Sequence, residues 1–342
     1  MTTIASISEL LTLSNCQFRV YDLGRKIDKL SKETFNKVEL NQLPYPSPFK
    51  GHAHLAITFW QKQSPQPFLW FVKLPLDERG LLNQGARNHF VAIIAEALGA
   101  DLSVDPTEKQ EELLKSNPYI FTPSQYKLAM LNSLISFDLK SPPSQHYQSF
   151  QRYLTDKNWQ QWRTIGVQGI TDFVARIGDK EHDELIANSL ADLPFEVLSP
   201  LCGALENKTL SLCIIESLLH LLSKTPSDNL DKQQMLLRSL ASSTEHTLVD
   251  NYFLNLLNKE QLDTDLLICI SGRCWATLNN DKRIMLFLEH LAAKQDFELF
   301  TAIFKDLVAI PTIRPILFQC MRSTERSETL SVAIGQLFTA QG

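Results

Sequence analysis

From Pro118 to Gly342 the sequence holds one pattern: apolar side chains at helical spacing, in segments of about 10–18 residues joined by short connections. No alternating, strand-like stretch interrupts it. Segment starts fall near Pro123, Ser144, Asn158, Lys180, Phe195, Thr209, Asn229, Thr244, Asp263, Asp281, Asp296, Pro311 and Thr324. Many open on Asp, Ser, Thr or Asn, whose short side chains accept from the free N–H groups of a first helical turn. Such a chain must bury one face of each helix on another helix. Paired from Lys180 onward, the segments recur roughly every 30–37 residues, the range of α-solenoid repeats. No tetratricopeptide or ankyrin consensus is present. The pattern fits HEAT-like repeats or, as the alternative, an irregular helical bundle.

The N-terminal part reads differently. Ser6–Leu13 is expected as a short helix, with Ser6 and Glu9 spaced as a capping box. Phe18–Leu23 is expected as a strand, and Ser31–Leu40 as a helix ended by Pro44, Pro46 and Pro48. Ala53–Trp60 alternates, with Leu55, Ile57 and Phe59 on one face and His54, Ala56 and Thr58 on the other. Phe68–Leu74 is dense in aromatic and branched residues. The short segment Gln61–Pro67 between them suits an antiparallel hairpin and not a parallel crossover. Leu81–Leu98 is an amphipathic helix with Arg87 on its polar side and Gly99 as its C-terminal cap. Asp105, Pro106 and Glu108 open another helix. The expected fold is mainly α. A small α+β domain with an antiparallel sheet covers 1–117, and an all-α helical-repeat or bundle domain covers 118–342.

The formal net charge of −5 lacks the basic footprint that phosphate binding needs, which argues against nucleic acid as a partner. The most basic stretch, Arg25–Lys37, is broken by Asp28 and Glu33 and reads as a solvated surface. Met1–Leu13 carries no positive n-region of a secretory signal. Leu210–Leu222 is too short to span a bilayer and contains Glu216 and His220, so no membrane is expected. Six scattered cysteines (Cys16, Cys202, Cys213, Cys269, Cys274, Cys320) suit reduced thiols in a cytoplasmic protein. On a continuous helix Cys269 and Cys274 would stand about 140° apart, so no shared metal or redox role is expected of them. Trp159 and Trp162 share a helical face and are expected to pack the first helices of the second domain.

No phosphate loop, GxGxxG turn, GxSxG elbow, HExxH pair or kinase signature is present, and no cofactor is implied. Candidate site residues lie in the N-terminal domain: Arg19, Asp22, His54, Lys73, Asp77 and Glu78. His52 and His54 alternate onto one strand face, a geometry that metal sites use; solvated imidazoles at a strand entrance are the plainer reading. The face bearing His54, Thr58 and Trp60, with Lys73, Leu69, Phe71 and Arg19 nearby, is either a ligand- or peptide-binding surface or the wet side of an antiparallel sheet. Asp77 and Glu78 are either acid–base groups or, respectively, a helix cap and a charge favouring the helix N-terminus.

Three stretches are distinctive: Phe18-Arg19-Val20-Tyr21-Asp22-Leu23-Gly24-Arg25, Pro44-Tyr45-Pro46-Ser47-Pro48, and Trp70-Phe71-Val72-Lys73-Leu74-Pro75-Leu76-Asp77-Glu78. They resemble an uncharacterised bacterial family, the domain of unknown function DUF3549; the helical half resembles it more loosely, in length and Leu-rich character. The resemblance implies a bacterial cytoplasmic protein and transfers no activity, substrate or catalytic residue. The functional expectation is a non-enzymatic interaction or scaffold protein with a protein partner. The alternative is an enzyme, or a metal or small-ligand binder, centred on the N-terminal sheet.

Overall fold

The computed structural model describes residues 4–61, 64–98 and 107–339. Among the described residues lie seventeen α-helices and four β-strands, and the protein is mainly helical. The chain divides into two compact units: Met1–Pro123 with Ala309–Pro311, and Ser124–Val308 with Thr312–Gly342.

The first unit runs α1 (Ile7–Leu13), β1 (Cys16–Asp22), β2 (Asp28–Leu30), α2 (Lys32–Glu39), β3 (His52–Gln61), β4 (Ser64–Pro75), α3 (Gln84–Leu98) and α4 (Glu108–Lys115). The sheet order is β2-β1-β3-β4, and every neighbouring pair is antiparallel. Register sets the faces. Val20 stands opposite Ile57 and Ile57 opposite Trp70; Asp22 stands opposite Leu55 and Leu55 opposite Val72. Phe18, Val20 and Asp22 therefore share a face with Leu55, Ile57 and Phe59 and with Val72 and Leu74. That face packs into one core with Ile7, Leu10 and Leu11 of α1, Phe35 and Val38 of α2, and Phe90 and Ile94 of α3. Each such side chain contributes about 1.5–3 kcal/mol on burial.

Glu39 joins the three helices over this face. Its buried carboxylate accepts from Ile7 N at 2.7 Å, Ser8 N at 3.1 Å and Ser8 Oγ at 2.5 Å, closing the first turn of α1 from outside that helix. Its carbonyl accepts from Gln84 Nε2 at 3.0 Å and from the Arg87 guanidinium. Arg87 is consequently only 5% exposed, whereas periodicity puts it on the polar side of its helix.

Other differences have local causes. The strand β2 is not foreseen, because three polar-flanked residues carry no alternation. Arg25, expected in a solvated stretch, is 2% exposed and donates from Nε to Pro48 O at 3.1 Å. Glu9 N is capped by Ser6 Oγ at 3.0 Å, but the Glu9 carboxylate returns to Ala5 N at 2.6 Å and not to Ser6. The helix α3 opens at Gln84, capped by Asn83 Oδ1 on Ala86 N at 2.9 Å. Gly99, Asp105 and Pro106, and the tip of the β3–β4 connection, lie outside the described residues.

The second unit is a succession of thirteen helices: α5 (Gln125–Asp138), α6 (His146–Asp156), α7 (Val167–Ala175), α8 (Lys180–Ser189), α9 (Phe195–Leu205), α10 (Leu212–Lys224), α11 (Leu230–Ser239), α12 (Thr247–Leu257), α13 (Thr264–Gly272), α14 (Asp281–Ala293), α15 (Phe297–Val308), α16 (Arg314–Arg322) and α17 (Glu328–Thr339). Side chains of Ser124, Asp179, Asn229, Asp263 and Asn280 cap five of them. Near Asn158 the expected helix is instead a 3-10 turn, Trp159–Thr164, and α7 starts only after an extended Ile165 and Gly166. Trp159 and Trp162 are half-buried there, Trp159 edge-on to Tyr153 at 5.2 Å.

The packing rule is simple. Each helix touches the next but one, so α5, α7, α9, α11, α13, α15 and α17 form one row and α6, α8, α10, α12, α14 and α16 a second. The rows meet through pairs such as α6 with α7, α10 with α11 and α13 with α14. This is the alternating stack of an α-solenoid, in which each helix pair buries its apolar faces on the neighbouring pairs. Phe150, Phe173, Ile214, Leu218, Phe253, Phe287 and Leu291 of these helices are buried without exposure. Polar ties obey the same rule: Ser133 of α5 donates to Asp172 of α7 at 2.7 Å, Arg238 of α11 to Glu206 beside α9, and Arg283 of α14 to Asp250 of α12.

Candidate functional site

The first two distinctive N-terminal stretches, Phe18–Arg25 and Pro44–Pro48, converge on a buried loop. Tyr45 OH donates to Asp22 Oδ1 at 2.5 Å, and Gly24 N donates to the same oxygen at 2.9 Å. Tyr45 N donates to Gly80 O at 2.8 Å, and Leu23 N to His54 O at 2.7 Å. Gly24 sits in a tight space: a Cβ there would lie 3.1 Å from Ser47 O and 3.2 Å from Asp22 Oδ1, so these neighbours would have to give by a few tenths of an ångström. Burial, reinforced by the Asp22 charge, holds the Tyr45 hydroxyl well above its ordinary pKa. These residues fix the loop from the inside.

The candidate residues of the sheet are divided by its parity. Asp22 faces the core beside Leu55, whereas Arg19, His54 and Lys73 lie on the opposite face. On that face His54 and Lys73 are cross-strand neighbours, and Arg19 stands opposite Thr58, further along β1. The Arg19 guanidinium lies over the Trp60 ring at 5.4 Å. The face is not simply wet: Tyr21, Ala56 and Thr58 are buried, and Arg19, His54, Trp60, Phe71 and Lys73 are half-buried. Part of the cover comes from Phe49 and Phe121, whose rings meet His54 edge-on at 5.6 and 5.1 Å. The segment around Ile120 adds to the β4 edge through Lys73 N to Tyr119 O at 2.7 Å.

His52 and His54 do share a face, with ring centroids 6.2 Å apart, and His52 Nδ1 bonds Lys50 O at 2.8 Å. Among the described residues no group of three or more His, Cys, Asp or Glu side chains is placed to hold a metal ion. Asp77 is exposed and closes a turn: its Oδ1 accepts from Arg79 N at 2.9 Å and Leu81 N at 2.8 Å, and Arg79 Nη2 lies 3.2 Å from Oδ2. These bonds, that of Leu81 first, hold its carboxyl below the usual range. Glu78 is exposed in the same turn.

The helical unit offers a different surface. Among the described residues its row of odd-numbered helices exposes Tyr126, Phe137, Phe195, Ile268, Val332 and Phe338; the even-numbered row exposes Leu212, Leu248 and Phe318. A groove of about 410 Å³ runs at α15 and α17, lined by Phe297, Thr329, Val332, Ala333 and Gln336. Further along the same row Glu206, Arg238, Arg273, Cys269 and Cys274 gather, a group the sequence reading misses. On the even-numbered row Tyr147 OH meets His182 Nε2, and His182 Nδ1 meets Asp179, the cap of α8. That chain ties α6 to α8.

The geometry defines a class: a small antiparallel α+β domain joined to an α-solenoid in one chain. The sequence matches the family model of a protein of unknown function (DUF3549) over residues 2–338, and the chain belongs to that family. No curated protein and no solved structure matches it. No described helix is long and apolar enough to cross a membrane.

Proposed function

We propose that this protein is a non-enzymatic interaction scaffold whose odd-numbered helix row docks a protein partner. The observation that carries the reading is the alternating stack with its unequal faces, six large apolar side chains exposed on one row against three on the other. An open stack presents a long surface made of many helices, and exposed aromatic and branched residues are the anchors that interfaces use. The separation of Asp22 from Arg19, His54 and Lys73 by the sheet weighs against a reaction centre there. Six scattered cysteines, none paired in a disulfide, fit a cytoplasmic setting.

The test compares two triple variants of equal folded stability by thermal melt. Phe195→Asp, Ile268→Asp and Val332→Asp alter the odd row; Leu212→Asp, Leu248→Asp and Phe318→Asp alter the even row. The reading expects proteins captured by the wild type to be lost with the first variant and kept with the second. Equal capture by both variants, or loss with the even-row variant alone, overturns it.

A further inference from the structure

The helix α13 ends between its two cysteines, and this decides their relationship. Arg273, after the last helical residue, has φ −123°, and Cys274 has φ −102°. Arg273 N and Cys274 N both turn back to Cys269 O, at 2.9 and 3.4 Å. Helical geometry therefore no longer separates the two side chains: the bond from Cys274 N to Cys269 O folds the chain back at the end of α13 and brings the two residues together. Both also lie on α11: Cys269 Sγ is 3.6 Å from Gln234 O and Cys274 Sγ 3.3 Å from Leu237 O.

The surroundings are unequal for the two sulfurs. Cys274 is fully buried, whereas Cys269 is partly exposed. The buried Glu206 holds two guanidiniums beside them, Arg238 by two hydrogen bonds and Arg273 Nη1 at 3.9 Å. Two cations against one carboxylate leave a positive local field. The neighbouring Cys274 thiol, then Arg238 and Arg273, draw the Cys269 thiol below its ordinary pKa, and the Cys269 sulfur together with burial pushes Cys274 well above it. Burial sends Cys202 to about 12 and Cys320 to about 11.

We propose that Cys269 and Cys274 form a dithiol oxidised by hydroperoxides, with Cys269 as the attacking sulfur and Cys274 as the resolving one. The Cys269 thiolate attacks the terminal oxygen of the hydroperoxide. The O–O bond breaks, and the leaving alkoxide or hydroxide takes up the proton that Cys269 released. Cys269 becomes a sulfenic acid. The Cys274 sulfur then attacks the Cys269 sulfur; the S–O bond breaks, and hydroxide leaves with the Cys274 proton as water. Two thiols are oxidised by two electrons to one disulfide, and one hydroperoxide is reduced to an alcohol and water, or to two waters from hydrogen peroxide. This site does not depend on the scaffold reading.

The experiment treats the folded full-length chain with one equivalent of hydrogen peroxide at neutral pH, then alkylates the remaining thiols and maps them by mass spectrometry. The expected result is loss of two of the six alkylatable thiols and a Cys269–Cys274 disulfide, restored to thiols by a reductant. Cys274→Ser is expected to stop at the sulfenic acid, trapped by dimedone on Cys269. Arg238→Gln is expected to slow the reaction several-fold without changing the product. Oxidation at Cys213 ahead of Cys269, a disulfide between other cysteines, or both thiols remaining alkylatable while another site reacts overturns the proposal. If Cys274→Ser unfolds, the wild-type map alone decides between these results.

Discussion

The Tyr45 hydroxyl donates to Asp22 Oδ1 across 2.5 Å, and both side chains are buried inside the N-terminal unit. Removing the donor leaves the carboxylate oxygen with one partner fewer in a place water does not reach. Tyr45→Phe is therefore expected to cost about 1–3 kcal/mol, read from urea unfolding. The pH dependence has a definite sign. The folded state binds the tyrosine proton more tightly than the unfolded chain does, so this contribution is complete below the ordinary tyrosine value of 10.0 and is lost as pH rises above it. Wild type is expected to lose stability above that pH more steeply than Tyr45→Phe; parallel curves would refute the assignment.

Glu39 caps α1 with a carboxylate that burial pushes above its ordinary pKa, against the opposing pull of Ser8 and Ile7. Glu39→Ala strands the N–H groups of Ile7 and Ser8 and is expected to cost about 1–3 kcal/mol. A raised folded pKa means stability that is present below 4.5 and lost as pH rises through the folded value. The advantage of wild type over Glu39→Gln is thus expected to be largest in acid and to shrink toward neutral pH, in denaturation curves taken across that range.

Gly169 sets the approach of α7 to α6. A Cβ at this position would stand 2.6 Å from His146 O, a backbone atom that cannot swing aside. Gly169→Ala would ordinarily stabilise a helix interior by reducing chain entropy. Here it is expected to destabilise by about 1–3 kcal/mol through overpacking, measured as a lower urea midpoint.

Asp172 accepts from Ser133 Oγ with one oxygen and from Ser144 N at 2.9 Å with the other, so it holds α5, α7 and the approach to α6 together. An amide in its place keeps one acceptor and turns a donor toward Ser144 N–H. Asp172→Asn is expected to cost about 1–3 kcal/mol and to raise amide exchange at the ends of α5 and α6 before that of α14.

Much of this was legible in sequence because it is local. Ser124, Asp179, Asn229 and Asp263 announce helix starts through their own side chains, and the helix-pair period points to a stack. What was hidden depends on register and on where elements end. Nothing in the order of residues says that Asp22 and His54 face apart, since that follows from the pairing of β1 with β3. Arg25 and Arg87 read as surface because their carbonyl acceptors, Pro48 and Glu39, come from other segments. Cys269 and Cys274 read as divergent because helical spacing holds only as far as Gly272, where the helix stops. Asp77 reads as a helix cap, but the turn it closes precedes Asn83, the residue that caps α3.

Amide hydrogen exchange on the full chain, alone and bound to a protein partner that survives the variant comparison, tests the central claim most directly. The account predicts protection concentrated along α9, α11, α13, α15 and α17, with the even-numbered helices little changed. Protection confined to the even-numbered row or to the N-terminal sheet, with the odd-numbered helices exchanging as in the free protein, would contradict it.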